Sequence, residues 1–265
     1  MSGPGRKPAF FFSLPRSLAI ERPDGPYDLG LIYDDDAYVE LEARREPSAD
    51  GRPSGLMGRQ VAGQSFLAGL LRHGTWTDLA VLSRHPGAER AFERACGENP
   101  SERLRRIHLF DEFRFLDDPG AAAPARLLHL PAPLDSRYAW ARQSMGATAF
   151  SLSGVTHTLC AAEAVRQLCD LVTAPVESHD ALICTSSAVE RMVRTVTDDY
   201  ASYLRDRHGG SPGIKVRLET IPLGVDVDRF RPATPEERGQ WRSRLNVEED
   251  EVAVLFVGRD RKSVV

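Results

Sequence analysis

Apolar positions follow two different periods along the chain, and the alternation of these periods predicts an alternation of strands and helices. Short, largely apolar runs predict strands, and they lie at 27–33, 77–83, 105–110, 125–130, 147–153, 181–185, 215–222 and 252–257. Runs with apolar residues three or four positions apart predict helices, at 59–73, 88–96, 136–146, 159–172 and 235–245. Because strands alternate with helices, we predict an α/β fold with a parallel sheet and helices on both faces.

The strand at 181–185 is followed by the helix with the clearest start. Ser186 and Ser187 open it, and Ser187 with Glu190 forms a capping-box pattern. One apolar face follows behind this start, with Val189, Met192, Val193, Val196 and Tyr200. We therefore predict a long amphipathic helix beginning at this serine pair.

Composition is that of a soluble globular protein. The chain has 265 residues, 42% of them hydrophobic and 27% charged, which is enough to bury a sizeable core. There are 34 basic and 38 acidic residues, for a formal net charge of −4. This balance supplies no overall cationic field for a phosphate backbone, so nucleic acid is not expected as a main partner.

Cysteine usage and the N-terminal segment indicate a cytoplasmic protein. The four cysteines form no C-x-x-C pair, which favours a reduced compartment. The apolar run at 8–20 is interrupted by Pro15 and Arg16, unlike a secretory signal. No run approaches the roughly 20 apolar residues of a membrane span. A peripheral position at the inner membrane face stays open, although no basic amphipathic helix favours it.

The first candidate binding loop precedes the helix at 59–73. In P-S-G-L-M-G-R-Q, Gly55 and Gly58 stand just ahead of that helix. A glycine-flanked helix N-terminus offers free backbone N–H groups to a phosphate or sugar oxygen. The alternative is a tight turn that binds no ligand.

The second candidate loop is S-G-V-T-H-T-L, at 153–159. It places His157 and Thr158 where an apolar strand ends in glycine and a helix is about to begin. A histidine there can donate to an oxygen or exchange a proton near neutral pH. The alternative is that Thr156 or Thr158 caps the helix and His157 bonds locally.

Other polar clusters support no site. The serine pair at 186–187 is explained by helix capping, and no G-x-S-x-G elbow is present. The remaining histidines lack metal-ligand spacing, so no metal is expected. The acidic run Asp34–Asp36 favours a solvated loop.

Five segments, taken in order, resemble the retaining GT-B glycosyltransferases of the family 4 type. They are G-L-M-G-R, S-G-V-T-H-T, A-L-I-C-T-S-S-A-V-E, I-P-L-G-V-D-V-D-R-F-R-P and L-F-V-G-R. The resemblance covers about residues 55–259 and is strongest from 147 onward. It implies two Rossmann-like domains facing a cleft, a nucleotide-diphosphate sugar as donor, and no cofactor or metal. The acceptor would be a saccharide, a lipid or a small molecule.

The resemblance also implies a domain organisation. Residues 1–26 would be a poorly ordered lead-in, 27–232 the N-terminal, acceptor-side domain, and 233–265 the start of a truncated C-terminal donor-binding domain. In the crossing segment, Pro222 would end the strand, Gly224 would permit a turn and Phe230 would anchor the chain. Because the donor half is incomplete, we expect the natural protein to continue beyond Arg259 and this chain alone to show little or no transfer.

Site roles are implied by the same resemblance. His157 would contact the transferring sugar as the catalytic residue. Gly58, Arg59 and Thr158 would approach the donor phosphates or the acceptor, and Arg259 would neutralise the donor diphosphate, whose leaving group accumulates charge. Two departures stand out: Met57-Gly58 replaces the family's two adjacent glycines, and the lead-in is longer than the family's.

Two other hypotheses remain beside this one. The chain could be a noncatalytic binding module with a GT-B N-terminal fold. A dinucleotide-dependent enzyme is disfavoured, because no strand is followed by G-x-G-x-x-G with an acidic residue about 20 positions later.

Overall fold

The computed structural model describes residues 11–12, 27–38, 58–84, 88–118, 124–157, 159, 161–225 and 231–254. The chain divides into two compact units, Met1–Gly224 and Val225–Val265. The strands are β1 Phe11–Phe12, β2 Tyr27–Tyr33, β3 Asp78–Ser83, β4 Arg106–Asp111, β5 Ala125–Leu130, β6 Ser151–Val155, β7 Ala181–Cys184 and β8 Arg217–Thr220. The helices are α1 Asp35–Tyr38, α2 Gly58–His73, α3 Ala88–Glu98, α4 Glu112–Asp117, α5 Ser136–Met145, α6 Ala162–Thr173, α7 Ser187–His208 and α8 Pro235–Leu245.

Every strand pairing in the described residues is parallel, which confirms the predicted α/β sheet. The strand order is β1-β4-β3-β2-β5-β6-β7-β8. The chain therefore builds outward from β2 through β3 to β4, returns to place β5 on the other side of β2, and continues to β8. The connections reverse direction between β2 and β5, and ligands of open parallel sheets bind beyond the carboxyl ends of the strands at such a point.

Two apolar cores cover the two faces of the sheet. On one face, sheet residues such as Leu128 and Leu152 pack with side chains of α5, α6 and α7. On the other, Leu31 and Leu79 pack with α1, α2 and α3, where Phe92 is fully buried. Helices on both faces explain why several strands are apolar throughout rather than alternating.

The structure corrects the predicted start of β6. The expected strand at 147–153 lies at Ser151–Val155, because Gly146, with φ of 111°, ends α5 and begins a turn closed by Ala149 N–H to the Gly146 carbonyl. Gly154 therefore lies inside the strand rather than at its end.

The predicted capping box of α7 is also wrong by one residue. Ser186, in extended backbone, is the N-cap and accepts from the Val189 N–H at 3.2 Å. The Glu190 side chain instead accepts from Arg194 and from Thr220. Either serine of the pair could cap the helix. The N-cap is Ser186, one residue earlier than predicted, and Glu190 bonds to Thr220 of β8 instead of completing a capping box.

Two short helices were not predicted. The acidic run expected as a loop forms part of α1, in which the Ala37 N–H donates to the Asp34 carbonyl. The α4 helix begins after Asp111, whose carboxylate accepts from the Arg114 N–H. Both helices are too short for apolar periodicity to predict.

The segment after β8 is the first part of the segment that was predicted to lead to the second domain. The Ile221 N–H still donates to the Cys184 carbonyl, and the ladder stops at Pro222, which has no N–H to donate. Phe230 lies outside the described residues. The strand expected at 252–257 is not formed at 252–254, where Val252 and Val254 are exposed and no described strand pairs with them; residues 255–257 lie outside the described part.

Candidate functional site

The candidate site is the crevice at the carboxyl ends of β2, β5 and β6. Beyond β2 the chain enters α1 and later α2, beyond β5 it enters a loop at 131–135, and beyond β6 it reaches Thr156 and His157. The side chains and close backbone contacts at these ends determine what the crevice can bind.

Helix α2 is held at this edge by close packing on α1. A Cβ added to Gly63 would lie 2.1 Å from the Ala37 carbonyl oxygen, so only glycine allows this approach. Five residues earlier, at the helix start, Gly58 is exposed and an added Cβ would meet nothing within 4 Å. The first turn contains no acidic residue, so no carboxylate of this turn offsets the positive end of the helix dipole.

The loop after β5 lies directly over β6. The Val155 N–H donates to the Ala132 carbonyl at 3.0 Å. A Cβ on Gly154 would lie 2.7 Å from that same carbonyl oxygen and 2.9 Å from the Leu134 nitrogen. Gly154 is therefore a close-approach glycine, and it sets the height of the loop above the carboxyl end of β6.

Thr156 fixes the backbone just before His157. Its N–H and its hydroxyl both donate to the Ile183 carbonyl, at 2.9 and 3.1 Å, and its hydroxyl accepts from the Thr185 N–H. Thr156 is thus tied to β7 and does not cap the next helix, which begins at Ala162 without a side-chain cap. The alternative in which Thr156 is a helix cap is wrong, and Thr158 lies outside the described residues.

His157 follows this anchored residue, beyond the carboxyl end of β6. Its side chain is half-buried, and its Nδ1 is shielded from solvent. An imidazole next to an anchored backbone can hydrogen bond a ligand hydroxyl or exchange a proton with it.

A second histidine lies on the neighbouring strand β5. His129, near the end of β5, is 3% exposed, its Nδ1 lies 2.8 Å from the Ser153 Oγ, and its ring stacks on Phe66 of α2. Burial lowers its pKa to about 4, and repulsion by the charged form of His157 adds to the effect. His129 is therefore neutral at neutral pH. The sequence did not single it out, although a histidine inside the apolar run 125–130 was the available signal.

A buried carboxylate network closes the neighbouring part of the same edge. Glu112, which follows β4, accepts from Arg84, which follows β3, and from the Tyr138 hydroxyl at 2.5 Å. The hydrogen bond to Glu112 raises the pKa of Arg84 despite partial burial, and burial raises the pKa of Tyr138. The network ties α4 to α5, and sequence patterns gave no sign of it because its members are far apart in the chain.

The structure describes some of the site residues expected from the sequence, and others lie outside its described part. Gly58 begins the helix whose Phe66 stacks on His129 of β5, and His157 follows β6, the strand next to β5. The Arg59 side chain, Thr158 and Arg259 lie outside the described residues. Among the residues that the structure describes, no group of three or more histidine, cysteine or acidic side chains could hold a metal ion.

Among the described helices, none is both long and apolar enough to cross a bilayer.

Comparison with known proteins finds similarity over part of the chain. No known protein-family profile matches it. The chain is 44% identical over 70 residues to a protein of Geodermatophilus obscurus named D-inositol 3-phosphate glycosyltransferase, which is 26% of this chain and 14% of that protein. It is 37% identical over 84 residues to a protein of the same name from Thermobifida fusca, or 32% of this chain and 17% of that protein. A third, D-inositol 3-phosphate glycosyltransferase 2 of Catenulispora acidiphila, is 38% identical over 72 residues, or 27% and 15%. The chain thus spans roughly one sixth of the length of these relatives.

Proposed function

We propose that this chain is the acceptor-side half of a retaining glycosyltransferase of the GT-B type. Such an enzyme moves a sugar from a nucleotide-diphosphate donor to a hydroxyl of an acceptor. The observation that carries the proposal is the similarity to three proteins named as glycosyltransferases. The parallel sheet with a switch point between β2 and β5 supplies the crevice that a Rossmann-like half of such an enzyme needs.

His157 is the residue assigned to the sugar. Its half-buried imidazole follows Thr156, whose hydrogen bonds to β7 hold the backbone in place. A fixed group aimed at the charge that develops in the transition state costs no reorganisation during the reaction, and such preorganisation is a large part of catalysis. In this role His157 hydrogen bonds the transferring sugar while the glycosidic bond to the diphosphate breaks.

Gly58 and its neighbours are assigned to an oxygen of the acceptor or of the donor phosphates. Helix α2 begins at the exposed Gly58 and has no acidic residue in its first turn, which favours an anionic or hydroxyl ligand. Arg59 and Thr158 share this assignment. Arg259 is assigned to the donor diphosphate, where a positive charge stabilises the leaving group without a metal.

The acceptor is proposed to be a phosphorylated polyol or a related hydroxylated compound. D-inositol 3-phosphate is the first compound to test, because the relatives carry it in their names. A cytoplasmic location suits both a nucleotide-sugar donor and three described cysteines that carry no disulfide.

The experiment that tests the proposal is expression of the coding frame, read through to its genomic stop codon, followed by a transfer assay. Uridine and guanosine diphosphate sugars are offered with the polyol phosphate, and the anomeric configuration of the product is determined by NMR. A product that keeps the donor's configuration supports the proposal, whereas an inverted product, or none from any donor, contradicts it. The 265-residue chain, assayed beside it, is expected to give little or no turnover.

A further inference from the structure

The strand β8 has an unpaired outer edge among the described residues. It stands at one end of the strand order, and the one described strand that pairs with it is β7. The Arg217 N–H points inward, since it donates to the Asp180 carbonyl at 3.0 Å. Because the backbone groups of a strand alternate in direction, those of Val216, Leu218 and Thr220 point away from β7. Such a row of N–H and C=O groups is a template for another strand.

The side chains of β8 present one charge of each sign on the same side of the sheet. Arg217 and Glu219 are two positions apart, so both point to that side, and both are exposed. Leu218 between them points to the other side, where it packs against the core formed with α5, α6 and α7. Ile221, on the side of the two charges, is 53% exposed. No proline interrupts the strand.

A second copy of β8 fits this edge in an antiparallel arrangement. A twofold axis at Leu218 sets Val216 opposite Thr220 of the second copy and Leu218 opposite its own equivalent, so all the outward backbone groups find partners. Arg217 then lies opposite Glu219 of the second copy, in a non-hydrogen-bonded pair whose Cα atoms are about 4.5 Å apart. Opposite charges in directly opposed positions stabilise a pair of strands.

The two charges select this register over its neighbours. An axis moved by one residue to Arg217 would set two arginines directly opposite each other. An axis moved to Glu219 would do the same with two glutamates. Like charges in opposed positions are destabilising, so the register centred on Leu218 is favoured over both.

We propose that the outer edge of β8 is a self-association surface, on which a second copy of this chain pairs antiparallel and continues the sheet. The partner is a second copy because the surface is complementary to itself. The Arg217–Glu219 contact occurs twice about the axis, as a twofold interface requires. This surface contains none of the residues assigned to sugar transfer, so it stands or falls independently of the proposed function.

The test combines sedimentation equilibrium with amide hydrogen exchange on the 265-residue chain. Wild type is expected to show a monomer–dimer equilibrium that high salt weakens. Exchange at the Val216, Leu218 and Thr220 amides should slow as the protein concentration rises. The Arg217 amide should be unaffected, because it is bonded to Asp180 in the monomer as well.

Charge reversals test the register. Arg217→Glu and Glu219→Arg each turn both cross-strand pairs into like-charge pairs, and each should raise the dimer dissociation constant by at least about tenfold. The double variant Arg217→Glu with Glu219→Arg restores opposite charges at both pairs and should return to the wild-type constant. Asp198→Arg, an exposed reversal on α7, is the control and should leave the constant unchanged.

Three results would overturn the proposal. The first is a wild-type chain that stays monomeric at every concentration. The second is a dimer whose dissociation constant is the same in Glu219→Arg as in wild type, which would place the interface elsewhere. The third is a double variant as weakly associated as the single ones. Should a single variant fail to fold, exchange at Val216, Leu218 and Thr220 that does not depend on wild-type concentration would be decisive against it.

Discussion

The guanidinium of Arg142 and the carboxylate of Asp180 form a two-point ion pair that is completely buried, with N–O distances of 2.6 and 2.8 Å. Arg142 also donates to the Phe150 and Pro175 carbonyls. Asp180 also accepts from the N–H groups of Leu152 and Glu177. The pair thus joins α5 to the amino ends of β6 and β7, at the opposite edge of the sheet from the candidate site.

Removal of one partner of this pair is expected to destabilise the fold strongly. Arg142→Met leaves the Asp180 carboxylate buried without its counter-charge, which should lower the free energy of unfolding by about 3–5 kcal/mol. Urea unfolding followed by circular dichroism measures it.

The control is Arg166→Met, since the Arg166–Glu163 pair is exposed on α6 and is expected to contribute no more than about 1 kcal/mol. In addition, a double variant that also carries Asp180→Leu should lose less than the sum of the two single variants. Equal losses for Arg142→Met and Arg166→Met would contradict the structural role of the buried pair.

Acid should destabilise the protein partly through His129. Its folded-state pKa of about 4 is below the value of about 6.5 expected for the unfolded chain. Between pH 6.5 and 4 the unfolded state therefore binds one more proton than the folded state. The free energy of unfolding does not depend on His129 above pH 6.5, and it falls by on the order of 3 kcal/mol as the pH drops to 4.

The measurement is the free energy of unfolding as a function of pH for wild type and His129→Gln. The variant should show a smaller loss between pH 6.5 and 4, because glutamine does not titrate. Parallel curves over this interval would show that His129 is not the neutral buried group described above.

Gly154→Ala should disturb the loop over β6. The new methyl group would lie within 2.7 Å of the Ala132 carbonyl oxygen, which forces the loop or the strand to shift. Overpacking of this kind costs about 1–3 kcal/mol, and the loop at 131–134 should give altered amide shifts.

Gly69→Ala is the matched control for that substitution. Gly69 lies inside α2, where an added Cβ meets nothing within 4 Å, so alanine should stabilise the helix by about 0.5–1 kcal/mol. Thermal unfolding of the two variants should therefore shift in opposite directions, and a stabilising Gly154→Ala would disprove the close contact.

The N-cap of α7 can be tested by two adjacent alanine substitutions. Ser186→Ala removes the side-chain acceptor of the Val189 N–H and should cost about 1 kcal/mol of stability. Ser187→Ala, at the exposed first helical position, should change stability little. The reverse order would restore the capping box predicted from the sequence, with Ser187 as the cap.

The sequence predicted the parallel sheet because buried strands such as 125–130 and 181–185 have apolar runs, and these runs reflect burial on both faces. It placed Gly58 at the start of a helix and His157 just after a strand, as the structure has them, while their roles at a site stay predictions. It could not predict the close approach at Gly154, because the carbonyl that requires glycine belongs to a different loop. The network around Glu112 and the stacking of His129 on Phe66 were likewise beyond it, since they depend on how distant elements pack.

The central claim, that the crevice around His157 receives a hydroxylated acceptor, is tested most directly by titration of the histidine-labelled chain with D-inositol 3-phosphate. His179 is the internal control, because it contacts Arg142 at the amino end of β7. The account predicts a saturable shift of the His157 Cε1–H signal with His179 unmoved. No shift of His157 at any concentration, or equal shifts of both histidines, would contradict it.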